Sequence, residues 1–171
     1  MVFKSHLFVP NKSDYIRGNR RPKVDCILCA ILRGDPAVES LLISRTDLIA
    51  VSANIYPYNA GHILIFPTRH VFDIRELTDI EERAVNATTR LCLDHLDRLY
   101  TPAGFNIGYN IGDASGASVE HLHQHVVPRY PKELGMVDII SGTKIIIEDP
   151  TVTMTRLREA FAGTPPKRDE I

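Results

Sequence analysis

The stretch His121-Leu122-His123-Gln124-His125-Val126-Val127-Pro128 constrains this chain more than any other. In an extended strand successive side chains alternate faces, so His121, His123 and His125 point the same way, about 6.5–7 Å apart. Leu122, Gln124 and Val126 take the opposite face. Val126-Val127 favours the strand and Pro128 ends it. Three protonated imidazoles on one face would repel each other, so the row calls for an anion or a metal above it. Three of the seven histidines fall in this one run at period two, which weighs against a merely hydrophilic strand face. Two readings stay open at this point. Alternate histidines on a strand can ligate zinc, or one imidazole can attack a phosphate while its neighbour supplies a proton.

The rest of the sequence limits the setting. With 171 residues, 44% hydrophobic and 24% charged, the chain has the length and make-up of one soluble globular domain spanning 1–171. A formal net charge of −1 gives no electrostatic case for nucleic acid. Lys4, Lys12, Arg17, Arg20, Arg21 and Lys23 make a basic N-terminal arm, read as solvated. No apolar run reaches a membrane span and Met1 to His6 does not open a signal peptide, so a cytoplasmic location is expected. Cys26, Cys29 and Cys92 are too few and odd in number for a disulfide framework. In a reducing compartment Cys26-Ile27-Leu28-Cys29 reads as metal or redox chemistry.

Strands are expected at Ser40 to Arg45, Asp47 to Ser52, Gly61 to Pro67 and Phe105 to Ile111. A turn-rich segment, Asn54 to Ala60, follows the second, and His70 falls in a loop after the third. Thr78-Asp79-Ile80-Glu81 is a capping box. The helix it opens runs to about Tyr100, with Ala84, Val85, Thr88, Leu91, Cys92, Leu96 and Leu99 as its core face. His95 on that helix is expected to be satisfied or exposed. Further elements are a strand at Lys144 to Ile147, a short helix near Thr153 to Ala162 and a disordered tail from Pro165 to Ile171. Strands around one long helix predict an α+β, mostly antiparallel fold. Gly112 to Ser118, small residues directly before the histidines, would let backbone N–H groups meet an anion, with Ser115 or Ser118 adding a hydroxyl.

The histidine run followed by two aliphatic residues resembles the signature of the histidine triad (HIT) superfamily of nucleotide hydrolases and transferases. The likeness extends from about Cys26 to Lys144. Asn54-Ile55-Tyr56-Pro57-Tyr58-Asn59-Ala60-Gly61-His62, Gly104-Phe105-Asn106-Ile107-Gly108 and the histidine run with Arg129 are similar to the bacterial diadenosine tetraphosphate phosphorylase branch. The resemblance implies a HIT-like fold, with about five antiparallel strands packed on one long helix and a short C-terminal helix. It implies His123 as a nucleophile that forms a nucleotidyl-histidine intermediate and His125 as a proton donor to the leaving oxygen. Asn110, Gly116, Ser118 and Gln124 are implied at the phosphates, Asn54 at the ribose and His62 as a supporting histidine.

Cys26, Cys29, His70 and His121 match the quartet that zinc-containing members use, a closed structural site. The sequence leaves open whether magnesium accompanies the polyphosphate. The implied partners are a dinucleoside polyphosphate, an AMP-like product and a second copy of the chain in a homodimer. Tyr130 stands where the phosphorylase branch carries tryptophan, and Pro131-Lys132-Glu133-Leu134-Gly135 replaces its acidic segment. Base stacking, the choice of dinucleotide and phosphate or water as second nucleophile therefore stay open. So do a phosphoramidase, a nucleotide-sugar transferase, a zinc enzyme and a non-catalytic nucleotide-binding protein.

Overall fold

The computed structural model describes residues 22–131, 133 and 148–163. The basic arm up to residue 21, the strand expected at Lys144 to Ile147 and the tail from Pro165 lie outside the described residues. Among the described residues five strands form one antiparallel sheet: β1 (Leu42–Arg45), β2 (Ile49–Ala53), β3 (Ile63–Pro67), β4 (Gly104–Tyr109) and β5 (Gln124–Arg129), in the order β1-β2-β3-β5-β4. Three α-helices among the described residues accompany it: α1 (Ile27–Arg33), α2 (Asp79–Tyr100) and α3 (Pro150–Gly163). The α+β expectation holds. Because β5 inserts between β3 and β4, the end of the histidine run is carried into the interior of the sheet.

The helices form for local reasons. At the start of α2, Thr78 accepts from the Glu81 amide and the Glu81 carboxylate accepts from the Thr78 amide, a reciprocal capping box. Glu81 is also clamped by Arg69 at 2.9 and 2.8 Å. That guanidinium holds its carboxyl down at about 2. Helix α1 was not expected from the sequence. It is only seven residues long, opens on the Cys26 thiol and closes on Gly34 at φ +69, a left-handed position that suits glycine. Leu28, Ala30 and Ile31 bury its inner face.

The core face of α2 differs from the expected stripe. Ala84, Val85, Cys92 and Leu96 are buried as expected, joined by Glu81, Thr89 and His95. Leu99 is exposed, while Thr88 and Leu91 are half-buried. His95 therefore corrects the expectation: it is 2% exposed, its ring centroid 4.8 Å from that of Phe161 on α3. Its Nε2 has no hydrogen-bond partner among the described residues, and burial holds its pKa below the ordinary value. The folded ring binds a proton less readily than the unfolded one. Stability is thus complete above the ordinary histidine pKa and is lost as the pH falls below it. His95→Leu is expected to raise stability at about pH 5.5 by about 1–2 kcal/mol, and by less at about pH 8. Thermal melts at the two pH values check this. A variant no more stable at the lower pH would contradict it.

The histidine run is not one strand. Strand β5 begins at Gln124, so His121 and His123 precede it and the three rings do not form a single row. The Leu122 amide donates to the Val71 carbonyl at 2.7 Å, which turns His121 away from the sheet face carrying His125. Nor does Pro128 end the strand. Pairing with β3 stops at Val126, and Pro128 lies where β5 pairs with β4 alone, a place where a missing donor costs little.

Candidate active site and metal centre

His123 and His125 stand side by side, ring centroids 4.8 Å apart, at the polar end of a cavity of about 320 Å³. Asn54, Asn110, Gly116 and Ser118 share that end, while Ile27, Ile31 and Leu41 line the apolar remainder. His123 Nδ1 lies 2.7 Å from the His121 carbonyl oxygen. A carbonyl only accepts, so the proton is on Nδ1 and the Nε2 lone pair is left available. Burial lowers the ring's pKa, which keeps the imidazole neutral.

A second chain of bonds fixes His125. The Tyr58 amide donates to His62 Nδ1 at 3.0 Å, which places the His62 proton on Nε2. That nitrogen lies 3.0 Å from His125 Nδ1. His125 must then carry its own proton on Nε2; Asn110 Nδ2 lies 3.4 Å from that nitrogen, and the Asn110 side chain accepts the proton only when its amide is turned to present the oxygen. The two neighbouring rings therefore hold opposite tautomers, one presenting a lone pair and the other a proton. His62 is fully buried and stacks on Tyr58, centroids 4.9 Å apart. Asn54 Nδ2 lies 3.4 and 3.3 Å from the two ring nitrogens of His62, while Asn54 Oδ1 accepts from the Tyr56 amide at 3.0 Å.

On the far side of the run, the ligand atoms of Cys26, Cys29, His70 and His121 all lie within 4.8 Å of one another. Cys29 Sγ is 3.1 Å from His70 Nδ1, and His121 Nδ1 is 3.5 Å from each sulfur. Tetrahedral zinc with Zn–S near 2.3 Å and Zn–N near 2.05 Å sets sulfur and nitrogen about 3.5 Å apart, so the quartet fits that ion. The His121 ring is pre-oriented: its Nε2 lies 2.9 Å from the Pro67 carbonyl, which fixes that proton and leaves Nδ1 as a donor atom. Burial, then the neighbouring Cys26, pushes the Cys29 thiol up to about 11. Burial pushes His121 down to about 4. A cation would displace the thiol protons. Among the described residues no second group of this kind is gathered.

A family model described as the HIT domain matches residues 36–132, more than half of the chain. The chain belongs to the HIT family. It is 39% identical over 128 residues to the AP-4-A phosphorylase of Mycobacterium tuberculosis, covering 74% of this chain and 66% of that protein, just under two thirds of its length. It is 29% identical over 103 residues to the asymmetrical bis(5'-nucleosyl)-tetraphosphatase of Schizosaccharomyces pombe, covering 60% of this chain and 57% of the relative. Among solved structures, a zinc-bound histidine triad family protein from Mycobacterium smegmatis superposes with a TM-score of 0.67 at 26% identity, over 81% of this chain and 94% of the other.

Within this HIT fold most of the residues singled out from the sequence converge, and two do not. Gln124 was expected at the phosphates. Its Oε1 instead accepts from the Thr89 hydroxyl at 2.7 Å and its Nε2 donates to the Tyr109 hydroxyl at 3.2 Å, binding β5 to α2 and β4 on the core side. Strand alternation dictates this, since Gln124 and His125 must face opposite ways. The Ser115 hydroxyl donates to the Gly112 carbonyl at 2.7 Å, leaving Ser118 as the serine that lines the cleft. Tyr58 was missed as a participant. Its backbone amide selects the tautomer of His62, a role that the identity of a side chain does not disclose.

Proposed function

We propose that this HIT protein cleaves dinucleoside polyphosphates of the diadenosine tetraphosphate type through a nucleotidyl-histidine intermediate. The reading is carried by two hydrogen-bond chains beside one cleft, from the His121 carbonyl to His123 and from the Tyr58 amide through His62 to His125, which assign the two rings opposed tautomers. The His123 Nε2 lone pair attacks the α-phosphorus while the bond to the bridging oxygen breaks. The His125 Nε2 proton goes to that oxygen, and the nucleoside polyphosphate leaves. In the second half-reaction inorganic phosphate or water attacks the phosphorus and His123 is released. His125 Nε2 recovers its proton in that step, from the phosphate or water whose oxygen bonds to phosphorus. Gly116, Ser118 and Asn110 hold the phosphates, and Asn54 the ribose. The apolar remainder of the cleft takes the first base.

We assign zinc to Cys26, Cys29, His70 and His121. With four protein ligands it would supply structural cross-linking with no open position for substrate. Thiols held this way suit a reducing cytoplasm. No helix among the described residues is long and apolar enough to cross a membrane. Strand β4 lies at the end of the sheet and shows Ile107 to solvent, 44% exposed. A second copy of the chain would continue the sheet there as a homodimer, and equilibrium sedimentation giving a monomer mass would remove that part of the reading.

Product analysis on diadenosine tetraphosphate, with and without inorganic phosphate, tests the activity. ADP and ATP formed only when phosphate is present identify phosphorolysis. AMP and ATP formed in either case identify hydrolysis. Tight nucleotide binding with no product, or turnover confined to adenosine phosphoramidate or UDP-sugars, would contradict it.

A further inference from the structure

The base-sized cavity described above accounts for one half of a dinucleotide. A second cavity, of about 440 Å³, shares Tyr58, Asn110 and His125 with the first and continues away from it over the sheet. Strand register explains its shape. Gly108 pairs with His125 and Asn106 with Val127, so Asn106, Gly108, His125, Val127 and Arg129 share one sheet face. Gly108 leaves the floor bare, since a Cβ there would meet nothing within 4 Å. The groove therefore starts at the imidazole assigned to the leaving oxygen and runs down β4 and β5 to Arg129. Four residues of strand make that path about 13 Å.

Arg129 does not end the groove as a bare positive charge. Its Nε and Nη2 donate to the Glu133 carboxylate at 2.7 and 2.8 Å, and its Nη1 donates to Asn106 Oδ1. Glu133 offsets the charge, so the residue is poorly suited to capture a phosphate. The same three bonds hold the guanidinium in one plane while its side chain stays 51% exposed. A planar, immobilised guanidinium is a stacking surface for a nucleobase. The Asn106 amide nitrogen remains beside it as a hydrogen-bond donor.

The geometry points to a subsite for the second nucleoside of the substrate in the groove between β4 and β5, with its base stacked on Arg129 and positioned by Asn106. The inference rests on the proposed dinucleotide cleavage and adds which part of the protein reads the leaving half. Attack by His123 expels the leaving group toward His125, and this groove begins at His125 and reaches Arg129. The site selects a leaving group that carries a nucleoside at the far end of its phosphates, and not a bare polyphosphate.

Steady-state kinetics on two substrates test it. Diadenosine tetraphosphate and adenosine 5'-tetraphosphate differ only in the second adenosine. Arg129→Ala and Asn106→Ala are expected to raise KM for the dinucleotide about tenfold, the loss of one stacked base, with kcat and all constants for adenosine 5'-tetraphosphate unchanged. Gly108→Val, whose side chain enters open space, is expected to do the same by blocking the groove without disturbing the fold. It decides the matter if Arg129→Ala does not fold. Equal effects on both substrates, or no effect on the dinucleotide, would overturn the subsite while leaving the cleavage reading intact. A wild-type protein that cleaves neither substrate overturns both.

Discussion

His123→Ala is expected to lower turnover of diadenosine tetraphosphate by at least about a thousandfold, with the fold retained. The ring supplies the atom that bonds to phosphorus, and no other described imidazole in the cleft presents a lone pair. His62 and His125 both direct protons along their shared chain. The structural cost is small by comparison. Removing the ring leaves the His121 carbonyl without its 2.7 Å partner, worth about 1 kcal/mol. Circular dichroism and a thermal melt should therefore match the parent protein to within a few degrees. His125→Ala should cost less, about a hundredfold or more, because a good leaving group departs without a proton. Activity of His123→Ala within tenfold of the parent protein would refute the nucleophile assignment.

The second large effect concerns the metal. Purified protein is expected to hold about one zinc per chain by elemental analysis. Chelation, or Cys29→Ser, should remove it and lower the melting temperature by more than about 10 °C, since a structural zinc site supplies several kcal/mol of folding free energy. Helix α1 is too short to persist alone. Cys26 both caps it and faces His121, so the metal would tie this helix to the histidine run. Activity should fall with the metal and return on adding zinc back. The route is through His121, which contributes its ring to the quartet and its carbonyl to His123. Loss of zinc would thus loosen the acceptor that sets the nucleophile's tautomer. Protein without bound zinc, equally stable and equally active, would contradict the assignment.

The sequence made some of this legible and hid the rest for physical reasons. Helix α2 was readable because Thr78 and Glu81 cap it locally and its apolar stripe repeats at helical spacing. The histidine run was half readable. Period-two spacing holds only inside a strand, and the bond from Leu122 to Val71 delays the strand until Gln124, dividing the run into a ring for the metal quartet and two for the cleft. Buried His95 was misplaced because nothing along α2 shows that Phe161 of α3 covers it. Gln124 was misassigned because its partners, Thr89 and Tyr109, are separated from it by 35 and 15 residues. Long-range partnership of this sort is invisible to local pattern.

The bond between His123 and phosphorus is the claim on which the rest depends, and an intact-mass measurement reaches it directly. Protein mixed with diadenosine tetraphosphate without inorganic phosphate and quenched in alkali should gain the mass of one adenylyl group, mapped to His123 and lost on acidification. Steady turnover with no adduct, or an adduct on any other residue, would contradict the mechanism.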